Sequence, residues 1–226
     1  MKLVWSPELA SKAYIHTVKT CESFRRDSSS IAELISAMAA GWNAGLIVET
    51  WSLGCPIATS IGLIIASIHT GGRHVCIVPD DESADFYRDS IRLATGETPN
   101  VLVGLHTEKM TMSALTGIDF LLLDCSSKND LDILRVAKLG HRGAVLVCKN
   151  ANSKTLSDFG LQSVLGGESR KIVRSAYLPV GNGLDIAHVA AESSAEDAKG
   201  NVKGKGKGRW FKHVNPDSGE HLFIRK

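Results

Sequence analysis

"VETWSLGCPIATSIGLIIAS", residues 48–67, decides how this chain folds. An apolar run reaches an acid at Glu49, passes through a turn containing Gly54, and continues as a long apolar segment. That is the layout of a strand, a tight turn and a helix, the arrangement that sets backbone N–H groups against a nucleotide. Glycines normally let the backbone approach the ligand in such a turn. Here Trp51 and Leu53 stand among the turn residues, and only Gly54 is plainly a glycine of that kind. Pro56 suits the start of a helix but donates no N–H.

The same rhythm runs outward from this stretch. Strands are expected at 45–50, 73–78, 100–105, 118–124 and 143–148, with helices at 56–69, 81–95, 108–115 and 128–140 between them. The strands are continuous apolar runs, which suits a parallel sheet covered on both faces by crossover helices. Two helices precede the first strand. In 7–21, Ala10, Ala13, Tyr14, Thr17, Val18 and Cys21 share one face, with Ser6-Pro7 as cap and first helical position. In 29–42, Ile31, Leu34, Ile35, Met38 and Trp42 do the same, and Ser30 with Glu33 has the spacing of a capping box. After a helix near 154–165, two strands within 170–191 flank Gly181-Asn182-Gly183, a hairpin signal. The expected fold is a doubly wound, mostly parallel α/β sheet over 1–191. A low-complexity basic linker over 192–208 follows, then a terminal segment, 209–226, able to form a strand or hairpin.

Composition bounds the function classes. The 226 residues are 43% hydrophobic and 22% charged, ordinary for a soluble domain with a real core. The longest apolar run, near 57–68, is too short for a membrane span, and the N-terminus lacks the apolar centre of a secretory signal. The five cysteines are scattered without a C-x-x-C, as expected of reduced thiols in a cytoplasmic or nuclear protein. The net charge of +2 conceals an asymmetry: 198–226 carries eight Lys or Arg against two acids, so the body is mildly acidic and the tail basic. Within the tail, "KGNVKGKGKGRWFKH" interleaves cations, glycines and two aromatics. It suits either a solvated linker to a docked strand or a phosphate-contacting segment with Trp210 or Phe211 stacking on bases.

Five strand–helix repeats followed by an antiparallel hairpin resemble the class I methyltransferase fold, which binds S-adenosylmethionine (SAM) at the carboxyl ends of its first strands. Residues 7–190 more narrowly resemble the catechol and caffeoyl-CoA O-methyltransferases. "FLLLDCSSKND" (120–130) stands where those enzymes read roughly F-I-D-A-D-K-x-N-Y, and "RGAVLVCKN" (142–150) where they read G-G-x-L-V-x-D-N. The whole chain, including "RWFKHV", also resembles a family of uncharacterised plant proteins of this fold, from which no activity follows. The resemblance implies SAM as cofactor, with Glu49, Trp51, Gly54, Asp80, Asp81, His106 and Asp124 as candidate cofactor residues. At the second strand's end the alignment falls on Val78 or Pro79, followed by Asp80, Asp81 and Glu82. These acids either reach a ribose or simply complement a helix dipole. His106 and Glu108 occupy the place of an adenine contact, or face solvent. Trp51 puts bulk where the methionine end of SAM would lie.

The resemblance also locates a metal site, and there the sequence departs from it. Asp124 and Asn150 keep two ligand positions, but Lys149 replaces the middle carboxylate, and Ser127 falls where the family has a lysine, with Lys128 one residue late. An ammonium beside the site repels a divalent ion and can pair with Asp124, so no metal is expected. No catalytic residue is assigned; His141 and Cys125 are the available groups. Three functions remain open. One is a metal-independent SAM-dependent methyltransferase-like protein with an unknown small-molecule acceptor. Another is a non-catalytic descendant binding a protein or nucleic acid. The third is a binder of a different nucleotide. A homodimer is left open, and no membrane partner is expected.

Overall fold

The computed structural model describes residues 4–22, 31–104, 108–124, 129–151, 172–191, 210–214 and 221–225. The expected linker, the helix near 154–165, Ser30 of the capping box, His106, Cys125, Ser127 and Lys128 lie outside these residues. The chain divides into two units, Met1–Glu192 and Ser193–Lys226.

The first unit is built on a seven-stranded sheet. Its strands are β1 (Leu46–Thr50), β2 (Arg73–Val78), β3 (Val101–Val103), β5 (Phe120–Asp124), β7 (Ala144–Lys149), β8 (Ile172–Leu178) and β9 (Leu184–Val189), in the order β3-β2-β1-β5-β7-β9-β8. The first five are parallel, and β9 and β8 return antiparallel. Every residue of β1 and β7 is buried, which explains the unbroken apolar runs. Strand alternation sorts them onto two cores. Ile47, Cys76, Phe120 and Val147 pack under α1 (Pro7–Cys21), α2 (Ile31–Gly41), α3 (Ala58–Thr70) and α4 (Asp81–Thr95). Val48, Ile77, Leu121 and Leu146 meet Met112 of α5 (Glu108–Ala114) and Ile133 of α6 (Asn129–Val136) on the other face. The strand order reverses direction between β1 and β5, and the crevice above the carboxyl ends of those strands is the ligand position of open α/β sheets.

Several local expectations meet a physical competitor. Tyr14 is exposed, because α1 packs a narrower face, Ala10, Ala13, Thr17 and Cys21, against its neighbours. Ser6 caps it as expected, accepting from Leu9 N at 3.3 Å. The expected strand 118–124 is two: β4 (Thr116–Ile118) and β5, broken at Asp119. The expected helix 128–140 ends at Val136, and Lys138–Leu139 forms β6, paired parallel with β4 in a separate two-stranded sheet. Asp119 explains the break. Its Oδ2 accepts from Gly45 N at 2.8 Å and from Arg142 Nη2 at 2.7 Å, which holds the chain turning at the amino end of the main sheet. The margins of that sheet are modest: β3 has three residues, and β8 carries a register shift between Ile172 and Arg174. In the second unit, β10 (Trp210–Val214) and β11 (His221–Arg225) form an antiparallel pair.

Helices α2 and α3 approach closely at Gly62, where a Cβ would lie 2.6 Å from the carbonyl oxygen of Ala32. Backbone on one side of the contact leaves nothing flexible to yield. Gly62→Ala is therefore expected to destabilise the protein by about 1–3 kcal/mol, despite the higher helix propensity of alanine, and a urea titration would measure the loss.

Candidate functional site

Glu49 is the fourth residue of the wholly buried β1 and is itself completely buried. The parallel register sets it opposite Cys76 on β2, so His74 lies one alternation upstream on the same face. His74 Nε2 is 3.1 Å from Glu49 Oε1, and the Tyr87 hydroxyl of α4 donates to the same oxygen at 2.6 Å. Ser60 of α3 donates to Oε2 at 3.0 Å. Burial alone would push this carboxyl up. The hydrogen bond and charge of His74, the Tyr87 hydroxyl and the positive charge of Lys149 outweigh that, and its pKa falls below the ordinary 4.5. The anion acts back on its surroundings: burial first and then Glu49 raise the Tyr87 hydroxyl and the Cys76 thiol well above their usual values. Glu49 is thus an ionised group whose partners belong to β2, α3 and α4.

Trp51 fills the start of the turn after β1, while Ser52, Leu53 and Gly54 are exposed. Trp51 is 2% exposed. Its ring stacks on Phe86 with centroids 5.9 Å apart and planes 7° from parallel, and meets Tyr87 edge-on at 5.4 Å. Phe86 is itself half exposed, so it forms the outer cover of the indole. Gly54 takes φ +93°, a conformation that favours glycine, yet nothing lies within 4 Å of where a Cβ would be. The glycine permits the bend, and the space beside it is open among the described residues. The indole plugs the space between the β1 turn and α4.

At the end of β2, Val78 is buried and Asp80 is the N-cap of α4, its carboxylate accepting from Ser83 N at 2.7 Å. That backbone bond holds the Asp80 carboxyl below its usual range. Asp81 and Glu82 follow as exposed acids in the first helical turn, favourably placed for the dipole. The side chain of Glu108 lies outside the described residues.

Across the reversal point, the register pairs Asp124 of β5 with Lys149 of β7. Lys149 Nζ stands 3.6 Å from Asp124 Oδ2, with side-chain exposures of 5% and 13%. Asn150, in the left-handed region at φ +58°, donates from Nδ2 to Asp124 Oδ1 at 2.8 Å, and Asn182 of the β8–β9 turn donates to Asn150 Oδ1 at 3.2 Å. Cys55 Sγ donates to Asp124 Oδ2 at 3.3 Å and lies 3.4 Å from Ser52 Oγ. Both oxygens of Asp124 therefore already face donors of the protein, and a cation is built into the site. Divalent ions such as Mg²⁺ or Ca²⁺ need several free oxygen ligands, so these residues do not fit a metal. His141 precedes β7 and is exposed, at the opposite end of the sheet from Asp124, which removes it as a base for this crevice.

The structure brings Glu49, Trp51 and Asp124 to the strand-end region, while Asp80 and Asp81 serve the start of α4. Sequence reasoning missed His74, Tyr87, Ser60, Cys55 and Asn182. A signal existed for His74 alone, a polar residue inside the apolar run "RHVCIV".

The strand order and helices on both faces define a class I methyltransferase-like, Rossmann-type fold. The chain is similar to a methyltransferase from Geobacter sulfurreducens, at 21% identity and TM-score 0.56 over 78% of this chain and 88% of that one. It is similar to an O-methyltransferase from Bacillus cereus in complex with S-adenosylhomocysteine (SAH), at 19% identity and TM-score 0.57 over 78% and 90%. It is also similar to the SAM-bound O-methyltransferase TomG from Streptomyces achromogenes, at 20% identity and TM-score 0.54 over 80% and 90%. Comparison with curated protein sequences returns no match. Over residues 1–226 the chain matches the family described as "Protein of unknown function (DUF1442)", and it belongs to that family.

The buried carboxylate makes a pH-dependent claim. A carboxyl whose folded pKa lies below its unfolded one contributes stability above the unfolded value, and that contribution is lost as pH falls through the folded pKa. Tyr87→Phe removes one donor. It is expected to cost about 1–3 kcal/mol at neutral pH, with the difference from wild type shrinking as the pH drops below the carboxylate range. Urea denaturation across pH checks both the size and the trend.

Proposed function

We propose that this protein is a non-catalytic member of the methyltransferase fold, acting by binding rather than by methyl transfer. Trp51 carries the reading: a buried indole, stacked under Phe86 and against Tyr87, stands in the turn where the family's glycines would admit the methionine end of SAM. The other groups of the crevice support it. Glu49 is taken up by three donors, Asp80 by a helix cap, and Asp124 by Lys149, Asn150 and Cys55. Cys21, Cys55 and Cys76 are in no disulfide, in keeping with a cytoplasmic or nuclear setting.

A second reading, SAM-dependent methyl transfer without a metal to an unknown acceptor, draws on a specific observation. Glu49 remains ionised at the end of β1, and solved proteins of this fold hold SAM or SAH. In both readings Lys149 takes the part a divalent cation would play against Asp124.

Isothermal calorimetry separates them. Wild-type protein titrated with SAM, and separately with SAH, is expected to give no binding heat, whereas Trp51→Gly, which opens the turn, is expected to bind at least one of them. Circular dichroism of the variant checks that it is folded, since removing a buried aromatic costs about 3–5 kcal/mol. Saturable micromolar binding by the wild type overturns the non-catalytic reading in favour of the second. Titration with Mg²⁺ alone tests the charge replacement: Lys149→Asp is expected to bind the ion and the wild type to give no heat.

A further inference from the structure

Helix α1 packs against α3 on the face of the sheet away from α5 and α6. Two imidazoles meet at that contact. His16 of α1 and His69 of α3 are 53 residues apart in the chain, yet His16 Nδ1 stands 3.2 Å from His69 Nε2. The ring centroids are 5.4 Å apart and the planes 85° from parallel, so the two nitrogens point inward at each other rather than past one another. His16 is exposed and His69 half-buried, so solvent reaches the pair. His69 lies in the last turn of α3, where the negative end of the helix dipole favours a cation. Lys12, one turn before His16, opposes a cation, but Glu8 holds it at 2.6 Å. None of these groups belongs to the strand-end crevice.

We propose that His16 and His69 form a binding site for Zn²⁺, a two-histidine clasp between α1 and α3. Neutral imidazole nitrogen is a preferred ligand of this ion. Two nitrogens on one tetrahedral Zn²⁺, at bond lengths of about 2.0–2.1 Å, lie about 3.3–3.4 Å apart. Adjacent positions of a square-planar or octahedral ion would bring them to about 2.9 Å at the same bond lengths. The observed 3.2 Å is nearer the tetrahedral edge. Without the ion, the N–H of one ring donates to the lone pair of the other. Binding moves that proton to the far nitrogen of its own ring, so both lone pairs face the metal and no proton is released. Among the described residues no group of three His, Cys, Asp or Glu is placed to hold an ion. Water therefore fills the remaining positions, and the ion exchanges more readily than in a closed four-ligand site. A bound ion ties the first helix of the chain to the helix that follows β1. The site is independent of whether the crevice holds a ligand.

The test titrates Zn²⁺ into the full-length chain, free of any affinity tag, by calorimetry, and follows the melting temperature. The wild type is expected to bind the ion, and to melt about 5–10 °C higher with free Zn²⁺ at about a hundred times its dissociation constant. His16→Ala and His69→Ala are each expected to weaken binding about tenfold or more and to remove that rise. The double variant should lose little beyond either single one, since one imidazole alone does not hold the ion. Both single changes fall on solvent-reached positions, and circular dichroism checks that the variants are folded. His141→Ala, at another exposed histidine, should bind Zn²⁺ like the wild type. Mg²⁺, which takes oxygen ligands, should not displace it. The proposal is overturned if the wild type gives no binding heat with Zn²⁺. It is equally overturned if either single variant binds the ion as tightly as the wild type, or if the rise in melting temperature persists in the double variant.

Discussion

A carboxylate in a protein interior must be met by donors or give up its charge. The arrangement around Glu49 follows from that constraint. It is completely buried beside the larger hydrophobic core, and three donors from three separate elements converge on it. His74 ties β1 to the neighbouring strand, while Ser60 and Tyr87 tie the strand to the helices lying over it. The positive charge of Lys149, two strands away, favours the same ionised state. The consequence for chemistry is that the two carboxylates of the strand-end region are already met by the protein's own groups. Glu49 answers to its donors, and Asp124 to Lys149 and Asn150. The apolar remainder of the turn is taken by the ring of Trp51.

The opposite end of the sheet shows the same residue type in a different part. Asp119 accepts from the backbone of Gly45 and Leu46 and from Arg142. It joins the segment entering β1 to the segment entering β7 where no ligand crevice of this fold lies. Asp124 belongs to the same strand region five residues on, at the carboxyl end, and there its partners are the side chains of Lys149, Asn150 and Cys55. The contrast shows that an acid's position along the strand, rather than its burial, decides whether a ligand could ever have reached it.

Much of this was legible in the sequence. Parallel strands declare themselves as uninterrupted apolar runs, so β1, β2 and β7 emerged within a residue or two, and α4 at its exact bounds. The region 116–140 did not, because its path is set by the hydrogen bonds of Asp119 to residues some seventy positions away and by a short pairing of β4 with β6. In the candidate site, the Asp124, Lys149 and Asn150 positions followed from the resemblance to the catechol-type O-methyltransferases, and the pairing of Lys149 with Asp124 from charge. Trp51 could be read as bulk in the turn, but not as a ring stacked under Phe86. Ser60, His74 and Tyr87 are 11, 25 and 38 residues from Glu49, and no local pattern connects them to it.

The margins of the main sheet carry a consequence for how this protein meets its own copies. An open sheet presents unpaired N–H and C=O groups along its outermost strands, an invitation to lateral stacking. Here one margin is three residues long, too short a template for a stable extra strand, and the other is kinked near Arg174 and closed off by Pro179. Both borders thus discourage edge-to-edge accretion of molecules into ribbons.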